Sequence, residues 1–553
     1  MTDSKPARTA NAALPANLTP YQLAALPTIK AVLKSQLAQP VTLPQPFVSD
    51  VSSASKAALS LAPFVSAVQS GFSLLPSRYH SAYVSVLKQV LEQAQSTFKS
   101  TGIGSMKRKR AVYAQINEIF ASLAAPIVQL QHAPHETEIK AYLALASNLY
   151  QRFVQDETVR KLNSRSSKWP ELDPLAYFLS ADDGPYTLVP TSELPLALVA
   201  KPSKMLNCSA LWVLDGHEVG GHGLHSIVNG FDSEIASVLH SAVKSAFKKG
   251  QAKLVKTSTM RAMRPVVRDL LVSDSADNVI DLKQEDLLAH LVSTSSLELA
   301  ADAAGLLNFG PMFVSGLTLY FVTHNKDGLL GNSGRLLPAG RFDAHPADLF
   351  RILVLIAAID LLELPSGKQI KQQLRDRMLA ASGGTIAEEF SFWDESKTLY
   401  LTVSFDELAQ LAPIVASALC ESPLASLGNR SLSQVLTWTN QDDQITWRLA
   451  QTMGTSSFST KSEADLEGRH LVSASLLALE LACQRADLKR VAARIHRQCL
   501  SALKDFYLDQ CLLCAVPSYA KSRRTADGLK GQSLEALVQN LRRSRLGAWE
   551  QQK

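Results

Sequence analysis

Three histidines, one glutamate and three glycines fall within nine residues, from His217 to His225. The familiar zinc-peptidase pattern is His-Glu-x-x-His on a helix, where two imidazoles one turn apart reach one metal ion and the glutamate acts as a general base. In this chain the second histidine of the pattern, His222, comes one residue late. On an ideal α-helix, that five-residue step would leave the two side chains about 140° apart.

Two consecutive glycines between these histidines suggest how both can still reach one ion. Gly220 and Gly221 would each cost a helix about 1 kcal/mol relative to alanine, so we expect the pair only where the backbone requires it. A π-bulge absorbs one extra residue, and such bulges are frequent at functional sites. We therefore predict a distorted helix in which His217 and His222 bind one Zn²⁺ ion and Glu218 is the catalytic base.

A catalytic zinc ion needs a third protein ligand, and the best candidate is Glu298. The spacing Glu-x-x-x-Asp places Asp302 one helical turn beyond it. From there Asp302 can accept a hydrogen bond from a zinc-bound imidazole and fix its tautomer. Glu285 is the rival for the third ligand, and His225 is an alternative imidazole ligand.

The elements that must position these residues are mostly helical. Apolar residues recur at three- and four-residue intervals through 54–165, where helices are predicted at 107–131 and 136–161. The histidines themselves lie in a predicted helix at 210–228, and a strongly apolar helix is predicted at 347–363.

A few segments have the alternation and flanking turns of strands. The apolar runs 186–189 and 196–200 predict a small sheet, and the segments 389–393 and 399–403 predict a hairpin. The fold class expected is therefore mainly α with a small sheet and hairpins, an α+β protein. Five regions are predicted: a largely disordered segment at 1–50 with at most a short helix at 27–37, a helical region at 51–165, a catalytic core at 166–365, a hairpin with helices at 366–520 and a loose tail at 521–553.

Composition narrows the class of protein. The net charge of +6 is mild for 553 residues, and the sharpest basic cluster, 107–110, is interpreted as the solvated start of a helix, so nucleic acid is not expected as a partner. The sequence has no run of about 18 apolar residues, so a membrane span is not expected. The first residues also lack the apolar stretch of a secretory signal. We expect a cytoplasmic protein that acts on a peptide or protein, and its oligomeric state is left open.

The six cysteines are too few and too scattered for a disulfide framework. A second, structural zinc site at His496, Cys499, Cys511 and Cys514 is conceivable from the Cys-x-x-Cys spacing. The surrounding sequence is continuous and apolar, however, so buried free thiols are the favoured interpretation.

The segment 217–230 reads His-Glu-Val-Gly-Gly-His, has a leucine two residues later and ends in Asn-Gly. It resembles the His-Glu-Ile-Gly-Thr-His…Leu…Asn-Gly segment of the microtubule-associated tyrosine carboxypeptidase family, which includes bacterial members named for a Gln-Glu-Gly-Leu-Ala motif. The resemblance implies a zinc peptidase with a gluzincin-type core and helical flanks that removes a C-terminal residue. It matches His217 and His222 to the histidine ligands and Glu218 to the general base.

Two departures from that family pattern concern the third ligand and the substrate. Gly221 stands where the family has threonine. The Gln-Glu-Gly-Leu-Ala motif is present only in looser form, either around Glu298 or around Glu285.

A second family, dipeptidyl peptidase III, is also similar over these residues. Its six-residue His-Glu-x-x-Gly-His motif accommodates Gly221, and its Glu-Glu-x-x-Ala-Glu motif is similar to 297–302 with the first glutamate replaced by leucine. Its histidine-bearing helix is similar to 344–353, which makes His345 a candidate catalytic residue. This resemblance implies release of N-terminal dipeptides. Either resemblance covers only about 205–360.

Peptide hydrolysis would also need an oxyanion donor besides zinc, and the candidates are His345, Tyr177 and Tyr186. A carboxypeptidase needs a cation for the terminal carboxylate, best met by a forked arginine, although each candidate is also explained as an ordinary surface or helix-end residue. The candidates are Arg335, Arg341 and Arg351. The rival from another class is a non-catalytic, metal-binding interaction protein, which would have no need of Glu218.

Overall fold

The computed structural model describes residues 23–509 apart from internal gaps, the longest of which are 44–61, 115–122 and 263–282, and it also describes 545–546. Most of the described chain is helical. The α-helices are α1 (Leu26–Leu37), α2 (Ala62–Gly71), α3 (Ser85–Ser100), α4 (Ala125–Leu130), α5 (Glu136–Val154), α6 (Glu157–Asn163), α7 (Gly223–Ile227), α8 (Phe231–Lys248), α9 (Gln284–Thr294), α10 (Ser296–Phe309), α11 (Pro311–His324), α12 (Asp348–Ala358), α13 (Gly367–Ala381), α14 (Phe405–Glu421), α15 (Leu432–Val435), α16 (Asn440–Thr452), α17 (Gly468–Ala482) and α18 (Leu488–Asp509).

The strands form two small sheets. They are β1 (Leu175–Leu179), β2 (Tyr186–Leu188), β3 (Leu198–Pro202), β4 (Thr259–Ala262), β5 (Ser333–Leu337), β6 (Arg341–Phe342), β7 (Glu389–Asp394), β8 (Leu399–Ser404) and β9 (Arg545–Leu546). The first sheet has the order β1-β3-β2-β9 and the second the order β4-β8-β7-β5-β6. In the first sheet β1 and β3 are parallel, whereas β2 runs antiparallel to β3. The α+β fold class predicted from the sequence is therefore confirmed in its coarse form.

The histidine-bearing segment is a succession of three helical forms. A 3₁₀-helix, Ser209–Leu214, is followed by a π-helix, Gly216–His222, and then by the short helix α7. The sequence predicted this stretch as one helix with a local distortion, and the structure confirms the distortion at the predicted place.

Helix α10 is the central element behind this segment. Its sequence is apolar around most of its circumference, and nearly all of its residues are buried, as expected for a helix covered on every side. It packs against the π-helix and also contacts α8, α11 and α12. Because α10 carries Glu298 and Asp302, its packing against the π-helix brings both carboxylates next to the histidines.

Several predicted boundaries need correction. The helix predicted at 136–161 is two helices, because Asp156 accepts hydrogen bonds from the backbone N–H groups of Thr158 and Val159 and so begins α6. The helix predicted at 347–363 is α-helical only over α12, and the chain continues from its end as a short 3₁₀-helix, Ile359–Leu362.

The predicted strands are mostly present. The hairpin is confirmed as β7 and β8, with Phe390 opposite Val403. The two runs near 186 and 196 are confirmed as β2 and β3, although β3 begins two residues later than predicted. Strands β1, β5 and β6 were not predicted from the sequence.

Parts of the sequence predictions fall on residues outside the described ones. These include most of the segment 1–50, although α1 confirms its short helix, and part of the helix predicted at 107–131, with Arg108 and Lys109 of the basic cluster and the run 115–122. They also include Cys511, Cys514 and nearly all of the tail. Within the described residues, no helix is both long and apolar enough to cross a membrane. The described cysteines are free thiols: Cys208, Cys420, Cys483 and Cys499.

Candidate metal centre

The π-helix brings the two histidines to nearly the same face despite the five-residue step between their positions. In a π-helix the hydrogen bonds join residues five apart, so residues with that separation lie on nearly the same face. His217 and His222 have this separation, and the centroids of their rings lie 4.7 Å apart with the ring planes nearly perpendicular. The extra residue relative to the five-residue zinc motif is therefore absorbed by the backbone.

The glycines of this segment are required by the close approach of α10. A Cβ atom added to Gly221 would lie 2.5 Å from Cα of Ala301, and one added to Gly216 would lie 2.8 Å from Cα of Gly305. Neither glycine has a positive φ, so the backbone conformation itself does not demand glycine. The sequence interpretation was that glycine permits the distortion, and the structure adds that it allows two helices to touch.

Three buried side chains place their ligand atoms together. One potential ligand atom from each of His217, His222 and Glu298 lies within 4.8 Å of the others. Nε2 of His217 is 3.5 Å from Oε2 of Glu298, and Nε2 of His222 is 3.4 Å from Oε1. This group could hold a metal ion. The rival carboxylate, Glu285, is half-buried near the start of α9 and is not part of the group.

Asp302 holds the ring of His217 from the other side, as the sequence predicted. Nδ1 of His217 lies 2.9 Å from Oδ1 of Asp302, so an Nδ1–H donor would leave Nε2 free to bind a metal. Arg351 donates to both carboxylate oxygens of Asp302 over 2.7 Å. Burial alone would raise the pKa of the Asp302 carboxyl, but Arg351 and His217 together hold that pKa below its ordinary value.

Burial and neighbouring charges are balanced in the same way in the cluster formed by His217, His222 and Glu298. Burial would raise the pKa of Glu298, yet the neighbouring His222, His217 and Arg351 hold that pKa well below its usual range. Burial would lower the pKa of His222, and the Glu298 carboxylate beside it raises that pKa instead. The site therefore favours an ionised carboxylate between the two imidazoles, which is the form that binds a metal.

Glu218 follows His217 directly and is buried beside the cluster. Burial raises the pKa of its carboxyl, and the charges of His217 and His222 oppose part of that rise. Its Oε2 atom is buried without a hydrogen-bond partner. A carboxylate with a raised pKa and an unengaged oxygen next to a metal position has the properties of a general base.

A cavity of about 30 Å³ adjoins Glu218, which is room for about two water molecules. Its polar lining consists of Lys201, Asp215, His217, Glu218, Tyr320 and Arg351. Lys201 and Asp215 form a buried ion pair, and the ammonium group lies 4.0 Å from the ring centroid of Tyr142. Lys201 and Tyr320 were not predicted, because only the tertiary fold brings them beside Glu218. Asp215 was also missed, although its position two residues before His217 is a local signal that could have found it.

His345 lies at the edge of the cluster and is more exposed than the other histidines there. Its Nε2 atom is 3.6 Å from Oε1 of Glu298. Its Nδ1 atom lies 2.7 Å from Oδ1 of Asp343, which also accepts the backbone N–H of His345. Asp343 was missed by the sequence analysis, although its position two residues before a candidate histidine is a local signal that could have found it.

The other candidates are placed as follows. His225 is buried outside the ligand group and stacks on Phe231, with ring centroids 4.9 Å apart. Tyr177 is fully buried in β1, and Arg335 is half-buried in β5. The side chains of Tyr186 and Arg341 lie outside those that the structure describes. Arg351 is buried and bound to Asp302, so it is not an ordinary surface arginine.

Several buried polar atoms of the site have no hydrogen-bond partner, and they indicate whether a metal ion would fit there. Nε2 of His222, Oε2 of Glu298, Oε2 of Glu218 and Nε2 of His345 are all buried without a hydrogen-bond partner. Leaving such an atom unsatisfied costs about 1–3 kcal/mol, so four around one position call for a ligand. Two imidazoles and one carboxylate are a donor set found at catalytic zinc sites, and the residues therefore fit that metal.

Comparison of the chain with protein-family models, with curated proteins and with solved structures finds no match in any of the three.

Proposed function

We propose that this protein is a zinc-dependent peptidase in which His217, His222 and Glu298 hold the metal and Glu218 is the general base. The observation that carries the proposal is the buried group of two imidazoles and one carboxylate, with an unpartnered glutamate oxygen beside it. A purely structural metal site would be closed by four protein ligands and would have no use for that glutamate.

The residues around the metal position have distinct roles in this proposal. Bound zinc would supply Lewis-acid activation of the scissile carbonyl and of a water molecule, whose pKa would fall to about 7. Glu218 accepts the proton of that water and delivers it to the leaving amine. Asp302 keeps the ring of His217 in the tautomer that presents Nε2 to the metal.

His345 is proposed as the hydrogen-bond donor to the oxyanion that develops on the carbonyl. Asp343 accepts from Nδ1 of His345 when that nitrogen carries the hydrogen, and Nε2 faces the cluster. Removal of one oxyanion donor from a protease typically costs about 10²–10³ in kcat.

The finer form of the proposal is a gluzincin-type carboxypeptidase of the tyrosine carboxypeptidase kind. The resemblance of the segment 217–230 supports it. Because Asp302 occupies two nitrogens of Arg351 and Asp215 already pairs with the buried Lys201, a terminal carboxylate would need a different cation. Dipeptidyl peptidase III-like release of N-terminal dipeptides is the alternative activity, supported by the placement of His345 beside Glu298.

The test combines metal analysis with product analysis in wild type and Glu218→Gln. The wild-type protein is purified, its zinc is quantified, and a peptide library is digested and read by mass spectrometry. We expect one zinc ion in both proteins and a rate about 10²–10⁴-fold lower in the variant, since general-base catalysis contributes that much. Glu285→Gln, which removes a carboxylate outside the ligand group, is the matched control and should retain full activity.

The products decide between the forms of the proposal. Shortening by one C-terminal residue supports a carboxypeptidase, and N-terminal dipeptides support the alternative. Zinc bound by both proteins with no cleavage by either would favour the interaction protein. Absence of zinc after purification and after reconstitution would overturn the metal centre.

A further inference from the structure

We infer that Arg351 is a positioning residue of the proposed metal centre, which holds Asp302, and through it the ring of His217, in the geometry that binds the ion without touching the ion itself. The inference rests on the zinc site of the proposed function. It adds a residue that the spacing of the sequence motif does not reveal, because Arg351 lies on α12, apart from both ligand-bearing segments.

One nitrogen of Arg351 lies among three groups of the site. Nη2 donates to Oδ1 of Asp302 over 2.7 Å, and it lies 3.3 Å from Nδ1 of His217 and 3.6 Å from Oε2 of Glu298. Nε donates to Oδ2 of Asp302 over 2.7 Å. The planar guanidinium thus holds the carboxylate that orients one ligand and approaches the carboxylate that is another.

The guanidinium has little freedom to move. Arg351 is 4% exposed, and its Cζ atom lies 5.2 Å from the ring centroid of Phe321. A fork fixed at two nitrogens determines the plane of the Asp302 carboxylate as well as its position. Because Nδ1 of His217 shares Oδ1 of that carboxylate, the orientation of the imidazole follows from the orientation of Arg351.

Charge gives a second reason for this arrangement. Asp302, Glu298 and Glu218 are three buried carboxyl groups around one position. Arg351 contributes a permanent positive charge that does not compete for the ligand atoms, since arginine stays protonated in proteins. A lysine would supply the charge but only one point of attachment, so it cannot hold both oxygens of Asp302 in one plane.

The experiment measures zinc affinity by competition with a chromophoric chelator in wild type, Arg351→Met and Arg351→Lys. Loss of a partner behind the ligands typically weakens metal binding about 10–100-fold, and we expect that loss for Arg351→Met with a smaller one for Arg351→Lys. The Co²⁺-substituted proteins give a second readout, because the d–d absorption bands report ligand geometry. Those bands should shift in both Arg351 variants.

Arg377→Met is the matched control, since Arg377 is another buried arginine bound to a carboxylate through two nitrogens, away from the metal centre. Its zinc affinity should stay within about twofold of wild type, because distant sites behave additively. Should Arg351→Met fail to fold, Arg351→Lys carries the test, since it keeps a cation beside Asp302.

The outcomes separate this inference from the proposed activity. Unchanged zinc affinity and unchanged Co²⁺ spectra in Arg351→Lys overturn the inference, and so does an equal loss of affinity in Arg377→Met. A wild-type protein that binds zinc but cleaves no peptide overturns the proposed activity while the affinities still decide the role of Arg351. A wild-type protein that binds no zinc overturns both.

Discussion

Arg351 and Arg377 are buried arginines that each bind a carboxylate through two nitrogens, but their surroundings differ. Arg377 on α13 binds Glu480 on α17, and the remaining hydrogen bonds of the pair go to the hydroxyl of Ser315 and to the backbone of Ala24. Both terminal nitrogens of Arg377 and both carboxylate oxygens of Glu480 therefore have further partners within the chain.

Around Arg351 the network is incomplete. Both carboxylate oxygens of Asp302 accept hydrogen bonds, but the neighbouring Glu298 and His222 each have a buried atom without a hydrogen-bond partner. A complete network ties elements together, and the Arg377 pair binds the backbone of Ala24, two residues before α1, to the helical core. An incomplete network of metal-ligand atoms marks a place where a ligand belongs. The comparison separates a structural ion pair from one that serves a site.

The largest expected effect is the loss of stability on breaking the structural pair. Arg377→Met leaves the Glu480 carboxylate buried without its cation, and we expect the free energy of unfolding to fall by about 3–5 kcal/mol. Urea denaturation in the presence of a chelator measures it. Arg485→Met, which removes an exposed pair with Asp487, should leave stability unchanged. A stable Arg377→Met protein would show that the pair contributes little.

The next effect is the stabilisation by zinc, which should distinguish the two regions directly. At a free zinc concentration of 100 times Kd, the metal should add about 2.7 kcal/mol to the free energy of unfolding, because it binds the folded chain. Thermal unfolding with zinc and with chelator measures this increment. We expect Arg377→Met to keep it at the same multiple of wild-type Kd, and Arg351→Met, with zinc affinity about 10–100-fold weaker, to retain only about 0.4–1.4 kcal/mol. An equal increment in both variants would contradict the difference between the regions.

The crowded packing behind the site predicts a third effect. In Gly221→Ala the new methyl group would lie 2.6 Å from Cβ of Ala301, so the π-helix and α10 must separate. We expect a loss of about 1–3 kcal/mol in stability together with weaker zinc binding. The control is Gly367→Ala at the start of α13, where the nearest atom is 4.0 Å away. Wild-type stability and zinc affinity in Gly221→Ala would refute the close-packing explanation.

The smallest effect concerns a histidine outside the cluster. Burial, with the charge of Arg497, lowers the pKa of His496 to about 4 from an unfolded value of 6.5, and its Nδ1 accepts the backbone N–H of Ser209. Between pH 6.5 and 4 the unfolded chain binds the proton that the folded chain excludes, so stability falls as pH falls. From pH 7 to pH 5 the loss should be about 1–2 kcal/mol.

His496→Asn, which preserves an acceptor but does not titrate, is the variant that tests this pH effect. Chemical denaturation at pH 7 and pH 5, with a chelator present, should show a smaller loss in the variant than in wild type. An identical loss in the two proteins would assign the acid sensitivity to other groups.

The local sequence determined the backbone form of the histidine-bearing segment. The step from His217 to His222, with Gly220 and Gly221 between them, predicted a distorted helix, and a π-helix is present there. It did so because helix geometry is a local property: hydrogen bonds between residues five apart and the cost of glycine depend on a few neighbours. The hairpin of β7 and β8 was predictable for the same reason, since alternation and turn residues are also local.

The tertiary structure decided which distant groups complete the site. Glu298 and Glu285 were both acceptable from the sequence, and only the packing of α10 against the π-helix places Glu298 under the histidines. Arg351 and Lys201 reach the site from α12 and β3. Their positions follow from packing over long separations in the chain, and spacing along a sequence carries no information about that packing. The motif thus identified the histidine-bearing segment, and the fold supplied the carboxylate of the candidate ligand group and the network behind it.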